Sequence, residues 1–170
     1  MTIERAKDAA AIVFDADKSL VGRTRLQKLA CLFELAGVGA EFSFSYHHYG
    51  PYSKELSVSV DDASAIGLLE ETVTKKSWGE YSSYQVAENS DLSAEYSAVR
   101  SQLASIAKSA GNVEFELAVT AAFISARGIE RPWDEVRKRK PLKADKIPAA
   151  KQLYAKILAV DTVTDLPVIV

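Results

Sequence analysis

The chain has 170 residues, of which 48% are hydrophobic, and its formal net charge is -2 at pH 7. This length supports one sizeable hydrophobic core and is short for two ordinary domains, so we predict a single domain over residues 1–160 and a tail over 161–170. A charge so close to zero excludes a protein that coats nucleic acid without regard to its sequence.

Hydrophobic periodicity predicts a series of short elements in the first half of the chain. In chain order we predict helices over 2–15 and 24–36, an aromatic strand over 42–49, a helix over about 54–70, and hairpin strands over 72–74 and 81–86. Thr24 can cap the second helix, and Gly37 can end it because glycine tolerates the left-handed conformation of a C-cap. Gly50 and Pro51 are expected to break the aromatic strand. This order of elements is that of a winged helix.

The second half of the chain predicts mostly helix. We predict a helix capped by Asn89-Ser90-Asp91 and running to about Ser109, one over 113–126, and two more that open at Pro132 and Pro148. The helix over 113–126 is hydrophobic around most of its circumference, so we expect it in the core. The tail is either a frayed end or an added strand. The predicted fold class is therefore mainly α with a small β component (α+β), a winged-helix-like part over 1–88 packed on a helical part over 89–160.

The stretch from Arg25 to Leu69 resembles known families. It contains Arg25-Leu26-Gln27-Lys28-Leu29 on a predicted helix, then the aromatic strand, then Tyr49-Gly50-Pro51-Tyr52-Ser53, and last a helix ending in Gly67-Leu68-Leu69. This order resembles the uncharacterised bacterial and archaeal YwgA-like proteins, and it is similar, more distantly, to the Panacea or SocA-like antitoxin domain. The resemblance implies a small non-enzymatic domain that binds a partner protein, such as a toxin, or DNA.

The sequence offers no group of residues typical of a catalytic or metal site. His47 and His48 are the two histidines, and neighbouring residues on a strand point to opposite faces, so they cannot hold one metal ion together. The single Cys31 excludes an internal disulfide, and within a helix it is expected to be a buried thiol. Asp61 and Asp62 suit a helix cap or interruption better than a catalytic pair. We predict no catalytic residue, no metal and no cofactor.

Five residues near the resemblance motif are predicted to bind a partner protein: Arg23, Arg25, Lys28, Tyr49 and Tyr52. The three cations lie off the hydrophobic stripe of their helix, and arginine and tyrosine are enriched at the energetic centres of interfaces. A solvated basic face is the alternative for the cations, and burial in the core is the alternative for the tyrosines. The partner can be a toxin encoded beside this protein. The protein can also form a homodimer.

A second group of residues suits nucleic acid. Lys75, Lys76 and Trp78 lie at the predicted hairpin tip and can contact a phosphate backbone or minor groove, although an ordinary exposed turn has the same composition. The segment 127–156 holds ten Lys and Arg against four Asp and Glu, a net charge of +6. Within it, a basic run can bind DNA or an acidic partner, or can form a solvated face. The run consists of Arg137, Lys138, Arg139 and Lys140.

The charge of the predicted third helix favours partner-protein binding over DNA binding. Lys54 is nearly its only base, whereas Glu55, Asp61 and Asp62 repel phosphate. A non-catalytic interaction protein is therefore the first hypothesis, and a winged-helix DNA-binding regulator is the alternative. The sequence has no run of about eighteen apolar residues and no segment with the form of a signal peptide, so we expect a cytoplasmic protein without a membrane anchor.

Overall fold

The computed structural model describes residues 2–48 and 50–169. Its helices are α1 (Ile3–Asp15), α2 (Arg23–Leu35), α3 (Lys54–Ala65), α4 (Ser97–Ser109), α5 (Asn112–Ala126), α6 (Pro132–Arg139) and α7 (Ile147–Leu158), with a 3-10 helix over Pro141–Lys146. Its strands are β1 (Ser19–Val21), β2 (Ser45–His47), β3 (Gly50–Tyr52), β4 (Leu69–Lys76) and β5 (Gly79–Val86). The α+β class, mainly helical with small antiparallel sheets, is thereby confirmed.

Strands β1, β5 and β4 form one antiparallel sheet in that order. Strand β4 pairs with β5 along its whole length, from Leu69 opposite Val86 to Lys76 opposite Gly79. The short β1 adds to the other side of β5, with Leu20 opposite Tyr84. The predicted hairpin is confirmed with longer strands, whereas β1 was not predicted because three residues are too few for alternation to be visible.

Helix α5 is the centre of the hydrophobic core. It packs against α2, α6, α7 and β3, and its residues from Phe115 to Ile124 are all buried. Its burial confirms the prediction made from its hydrophobic circumference. Helix α1 packs against α3, and its small side chains Ala6 and Ala10 are fully buried. The two halves of the chain therefore meet along the α2–α5 contact.

Three predicted boundaries are wrong. Helix α2 begins at Arg23 with Gly22 as its N-cap and no side-chain cap, so Thr24 is not the cap. Helix α3 ends at Ala65 because the chain turns there into β4, a longer strand than predicted. Helix α4 begins only at Ser97, whose hydroxyl donates to the Asp15 carboxylate over 2.9 Å. This contact with α1 fixes the start of α4 beyond the predicted Asn89-Ser90-Asp91 cap.

The predicted aromatic strand is shorter than expected and belongs to a second hairpin. Only Ser45–His47 is extended, and it pairs with Gly50–Tyr52, with Tyr46 opposite Pro51. Gly50 and Pro51 therefore form the returning strand rather than a simple break. Proline is tolerated there because a two-stranded sheet leaves its residues at an edge. Tyr49, between the two strands, lies outside the described residues.

Residues 159–169 follow α7. They form no strand, and their contacts with the rest of the fold keep them from fraying. Leu166 is buried, and the backbone N–H of Thr164 donates to the Ala36 carbonyl at the end of α2 over 2.9 Å. The Tyr154 hydroxyl of α7 donates to the Pro167 carbonyl. Residues 159–169 are therefore attached to the fold by the buried Leu166 side chain and by individual hydrogen bonds, not by regular secondary structure. Across the described part of the chain, none of the helices combines the length and apolar character needed to cross a bilayer.

Candidate functional site: a cleft beside helix α2

Gln27 of the resemblance motif joins α2 to the start of α3. Its side-chain Nε2 donates to the Ser53 backbone carbonyl over 3.0 Å, and the Ser53 N–H donates back to the side-chain Oε1 of Gln27 over 2.8 Å. The Ser53 hydroxyl in turn accepts from the Leu56 N–H and caps α3. We call this arrangement the Gln27–Ser53 junction. The motif residues on the helix and in the turn are therefore direct hydrogen-bond partners.

Gly50 shows how closely the second hairpin approaches α5. Its φ is +95°, and a Cβ at this position would lie 2.6 Å from Thr120 Oγ1 and 3.4 Å from Lys28 Cε. A side chain would therefore be both strained and obstructed. This close approach places the carbonyl of the next residue, Pro51, within reach of α2.

Lys28 is a buried cation, which corrects the expectation that it lies on an open basic face. It is 2% exposed, and its Nζ donates to the Pro51 carbonyl over 3.0 Å. Burial lowers the pKa of its amine to about 8, against an attractive contribution from Glu116. Among the described residues no carboxylate forms an ion pair with it, because Glu116 is already paired with Lys140 and Lys143.

Two cavities lie on either side of Lys28 and share Arg23 and Thr24 as lining residues. The smaller, about 270 Å³, lies between α2, α3 and the second hairpin and includes Tyr52 and His47. The larger, about 520 Å³, lies between the β4–β5 hairpin and the first turns of α2 and α5. We call the larger one the hairpin cleft. Side chains from opposite ends of the chain meet in it, which makes it the candidate functional site.

Arg23 and Arg25 have different environments in the hairpin cleft. The Arg23 side chain is 68% exposed and donates to the Glu71 carboxylate over 2.9 Å, a hydrogen bond that raises the pKa of the guanidinium. Arg25 donates to the Ala107 and Ala110 carbonyls at the end of α4 and to Asn112 Oδ1 at the start of α5. Arg23 is thus available to a ligand, whereas Arg25 holds α4 and α5 beside α2.

The aromatic rim of the hairpin cleft is formed by the hairpin tip. Trp78 is 73% exposed, and its ring stacks on Tyr81 with centroids 6.1 Å apart and planes 11° apart. Lys75 and Lys76, the neighbouring candidates for nucleic-acid contact, are also exposed. The exposure of all three predicted tip residues leaves them accessible to a binding partner.

Glu116 forms a buried ionic cluster at the floor of the hairpin cleft. Its two carboxylate oxygens accept from Lys140 Nζ over 2.6 Å and from Lys143 Nζ over 2.8 Å. Burial opposes ionisation, but these two hydrogen bonds outweigh it and lower the pKa of the Glu116 carboxyl. The sequence did not single out Glu116; the signal available was an acid within an otherwise hydrophobic helix.

Lys140, the last residue of the predicted basic run, belongs to the Glu116 cluster, so the run does not form one exposed surface. Lys140 is buried, so it is not part of a surface for nucleic acid. Arg139 pairs with Glu135 over 2.7 Å and lies over the Tyr46 ring. Arg137 and Lys138 remain exposed on α6.

The remaining candidates have ordinary structural environments. Tyr52 is half-buried and packs edge-on against His47, with centroids 5.2 Å apart. Tyr49 lies outside the described residues, so its predicted role is untested. Cys31 is buried, as predicted, and burial raises the pKa of its thiol to about 12. Over residues 2–48 and 50–169, no group of three or more His, Cys, Asp or Glu is placed to hold a metal ion.

The chain is similar to the uncharacterised protein YwgA of Bacillus subtilis (strain 168). The two are 32% identical over 73 residues, which are 43% of this chain and 43% of YwgA. The chain thus spans less than half of the length of this relative. No family model matches the chain. The predicted resemblance to YwgA is supported over that part, and the more distant similarity to the SocA-like antitoxin domain stays a prediction.

Proposed function

We propose that this protein is a non-catalytic cytoplasmic interaction protein, antitoxin-like or adaptor-like, that binds a partner protein at the hairpin cleft. The observation that carries the proposal is the exposed Trp78, stacked on Tyr81 at the rim of a cleft that also contains Arg23. Tryptophan, tyrosine and arginine are the residue types most enriched at the energetic centres of interfaces. A toxin encoded beside the protein is the partner implied by the family resemblance.

The order and pairing of the first elements support a winged-helix-like arrangement over residues 1–88. A short strand follows α1, the helices α2 and α3 come next with the β2–β3 hairpin between them, and the β4–β5 hairpin then pairs with β1 in the order β1-β5-β4. In this proposal the hairpin is the wing, and residues 89–160 form the helical part of the same domain. The similarity to YwgA supports placing the chain among YwgA-like proteins. The more distant link to SocA-like antitoxins is part of the proposal and rests on the motif resemblance alone.

A winged-helix DNA-binding regulator is the second candidate. The exposed Lys75 and Lys76 at the hairpin tip favour it, since a wing can contact phosphates there. The exposed side of α3 opposes it, because Asp61 is exposed there and repels a phosphate backbone, whereas Glu55 is paired with Arg5 of α1. We therefore propose protein binding first and DNA binding second.

The test is affinity capture with the tagged full-length protein from extracts of its own cells, with and without nuclease. Captured proteins are identified by mass spectrometry, purified separately and tested for direct binding. We expect a nuclease-resistant partner that binds the wild type and is lost from an Arg23→Glu, Trp78→Ala variant. An Arg137→Gln, Lys138→Gln variant, changed outside the cleft, should retain it.

Either of two results would reject the interaction proposal. One is the absence of any protein that binds directly after purification. The other is nuclease-sensitive recovery of DNA whose salt-dependent binding disappears in a Lys75→Gln, Lys76→Gln variant, which would establish the regulator instead.

A further inference from the structure

The charges lining the hairpin cleft are unequal. Four cations line it, and they face two carboxylates. The cations are Arg23, Arg25, Lys28 and Lys143, and the carboxylates are Glu80 and Glu116. An excess of positive charge in a cleft with low-dielectric walls favours a ligand that carries negative charge.

The ion pairs of the cleft leave part of this positive charge without a carboxylate. Lys143 is paired with Glu116, and Arg23 is paired with Glu71 outside the cleft lining. Among the described residues, Arg25 donates to two backbone carbonyls and the Asn112 amide oxygen, and Lys28 donates to the Pro51 carbonyl. A carboxylate that enters the cleft would therefore supply the countercharge that the described residues do not provide.

The apolar part of the cleft suits a side chain rather than a bare ion. Trp78 and Tyr81 form its rim, and Val113 and Phe115 from the first turn of α5 lie on its wall. Its volume of about 520 Å³ falls within the range of ligand pockets, roughly 300–1,000 Å³. The site therefore joins an aromatic contact surface to a cationic wall within one opening.

We infer that the hairpin cleft accepts an extended acidic segment of the partner protein. An apolar or aromatic side chain of that segment packs against Trp78 and Tyr81, and a carboxylate lies toward Arg23 and Lys28. The inference rests on the proposed function, because it gives the chemistry of the partner at the proposed binding site. It explains why a buried lysine of α2 lines an open cleft without a carboxylate partner.

The acids at the cleft favour a protein segment over nucleic acid. Glu80 lines the cleft, and Glu71 lies beside Arg23. A nucleic-acid strand carries a negative charge on every nucleotide and would meet these carboxylates, whereas a peptide can place one or two carboxylates opposite the cations alone. Oligonucleotide binding is therefore an outcome that counts against the inference.

The first experiment selects ligands from a display library of random peptides on the immobilised full-length protein. The enriched sequences should combine an aromatic or large apolar residue with Asp or Glu. One enriched peptide is then synthesised with its acids and with Asn or Gln in their place. We expect the neutral peptide to bind about tenfold more weakly or worse, in titrations that follow tryptophan fluorescence.

Protein variants locate the bound peptide. Arg23→Gln removes an exposed cation of the cleft. Trp78→Phe replaces the indole ring at the rim of the cleft with a smaller ring. Each substitution should weaken binding of the acidic peptide. The Arg137→Gln, Lys138→Gln variant removes positive charge from α6 and should bind it as the wild type does. Equal binding of the acidic and neutral peptides, or wild-type affinity in Arg23→Gln, would overturn the inference.

Proton uptake gives a readout that does not depend on replacing Lys28. A carboxylate bound beside the Lys28 amine favours its charged form, so binding near pH 8 should take up protons and weaken as the pH rises. Calorimetry in buffers of different ionisation enthalpy measures this uptake. The groups around Lys28 are Cys31, Glu116, Lys140 and Lys143, with Arg23, Asp61, His47 and Tyr52 on the wall of the smaller cavity. Absence of uptake would show that no carboxylate reaches Lys28 and would overturn that part of the assignment.

The outcomes separate this inference from the proposed function. A captured partner that binds through an acid-free segment leaves the interaction proposal standing and rejects the acidic segment. An acidic peptide bound in the cleft without any captured partner supports the inference and rejects the cellular role proposed above. A short oligo-dT strand that binds at physiological salt and is lost in Arg23→Gln rejects the inference.

Discussion

Arg100 and Lys28 are both almost fully buried cations, 3% and 2% exposed, but they lie in different electrostatic environments. Arg100 pairs with Asp15 over 2.7 Å, donates to the Val38 carbonyl and lies over the Phe33 ring. Lys28 has the Pro51 carbonyl as its partner. The difference is that Arg100 has a carboxylate beside it within the fold, whereas Lys28 has none among the described residues, so its charge can be used by a ligand.

The largest effect is expected from breaking the Arg100 pair. Arg100→Met leaves the Asp15 carboxylate buried without its cation, so the free energy of unfolding should fall by about 3–5 kcal/mol. Urea denaturation of the full chain measures this loss. The Asp15→Asn, Arg100→Met double variant removes both charges and should recover part of it. A loss well under 1 kcal/mol in the single variant would show that the fold does not depend on the Arg100–Asp15 pair.

Lys28 should show the opposite relation between charge and stability. Its pKa is lowered from 10.5 to about 8, so below pH 8 the amine is charged in both states and the folded state bears the full cost of burying it. As the pH rises toward 10.5, the folded protein loses this proton before the unfolded chain. The free energy of unfolding of the wild type should therefore rise, relative to Lys28→Met, by roughly 3 kcal/mol.

Unfolding measured in urea at several pH values between 7 and 10 tests this relation. Comparing pH slopes removes the constant cost of leaving the Pro51 carbonyl without its donor in Lys28→Met. Lys54→Met changes an exposed lysine of α3 and should keep the wild-type slope. Parallel slopes for wild type and Lys28→Met would show that the charge of Lys28 is compensated after all.

Glu116→Gln removes the carboxylate whose charge raises the pKa of Lys28. It leaves Lys140 buried beside a neutral amide and should lower the free energy of unfolding by about 2–3 kcal/mol at pH 7. Because the pKa of Glu116 is lowered by folding, its contribution is present above the usual carboxyl pKa of about 4.3 and is lost as the pH falls further. The difference between wild type and variant should therefore shrink in acid.

Glu114 provides the matched control for this substitution. Its carboxylate lies 3.7 Å from Lys146 Nζ and is more exposed than that of Glu116. Glu114→Gln should cost about 0.5 kcal/mol or less in the same urea measurements. An equal cost for the two variants would mean that burial does not distinguish the Glu116 cluster from a surface ion pair.

Gly50→Ala should lower the free energy of unfolding by about 2 kcal/mol, less than the substitutions at Arg100 and Lys28. The alanine Cβ would be strained at a φ of +95° and would press on Thr120 and on the Lys28 side chain. Gly67 has a similar φ, +82°, but no atom of the described residues lies within 4 Å of an added Cβ, so Gly67→Ala should cost about 1 kcal/mol. Thermal unfolding of the two variants measures the contribution of the obstruction. Equal losses would show that the contact with α5 can relax.

Elements with strong local patterns were predictable from sequence. The hydrophobic circumference of α5, the stripe of α7 and the alternation of the β4–β5 hairpin each lie within a short window. The strands β1 and β3 have three residues each, which is too few for alternation to show, and β1 pairs with β5 far along the chain. The start of α4 at Ser97 depends on a contact with Asp15, which no nearby residue signals.

The candidate site was predictable only in part. Arg23 and Trp78 were selected from residue type and position, and both line the hairpin cleft. Lys28 was expected on the surface because it lies off the hydrophobic stripe, but β3 and α5 both pack near that side of α2. Glu116 and Asn112 join the site through contacts with residues far away in the chain, which periodicity cannot reveal.

The Gln27–Ser53 junction has a consequence for how the surface of α3 can vary. Ser53 uses its N–H and carbonyl to bind Gln27 and its hydroxyl to cap α3. The position of α3 thus depends on this junction and on the packing of α3 against α1, not on side chains such as Val58 that face solvent. During evolution the solvent-facing side chains of α3 that make neither contact can therefore change while the helix keeps its place in the fold.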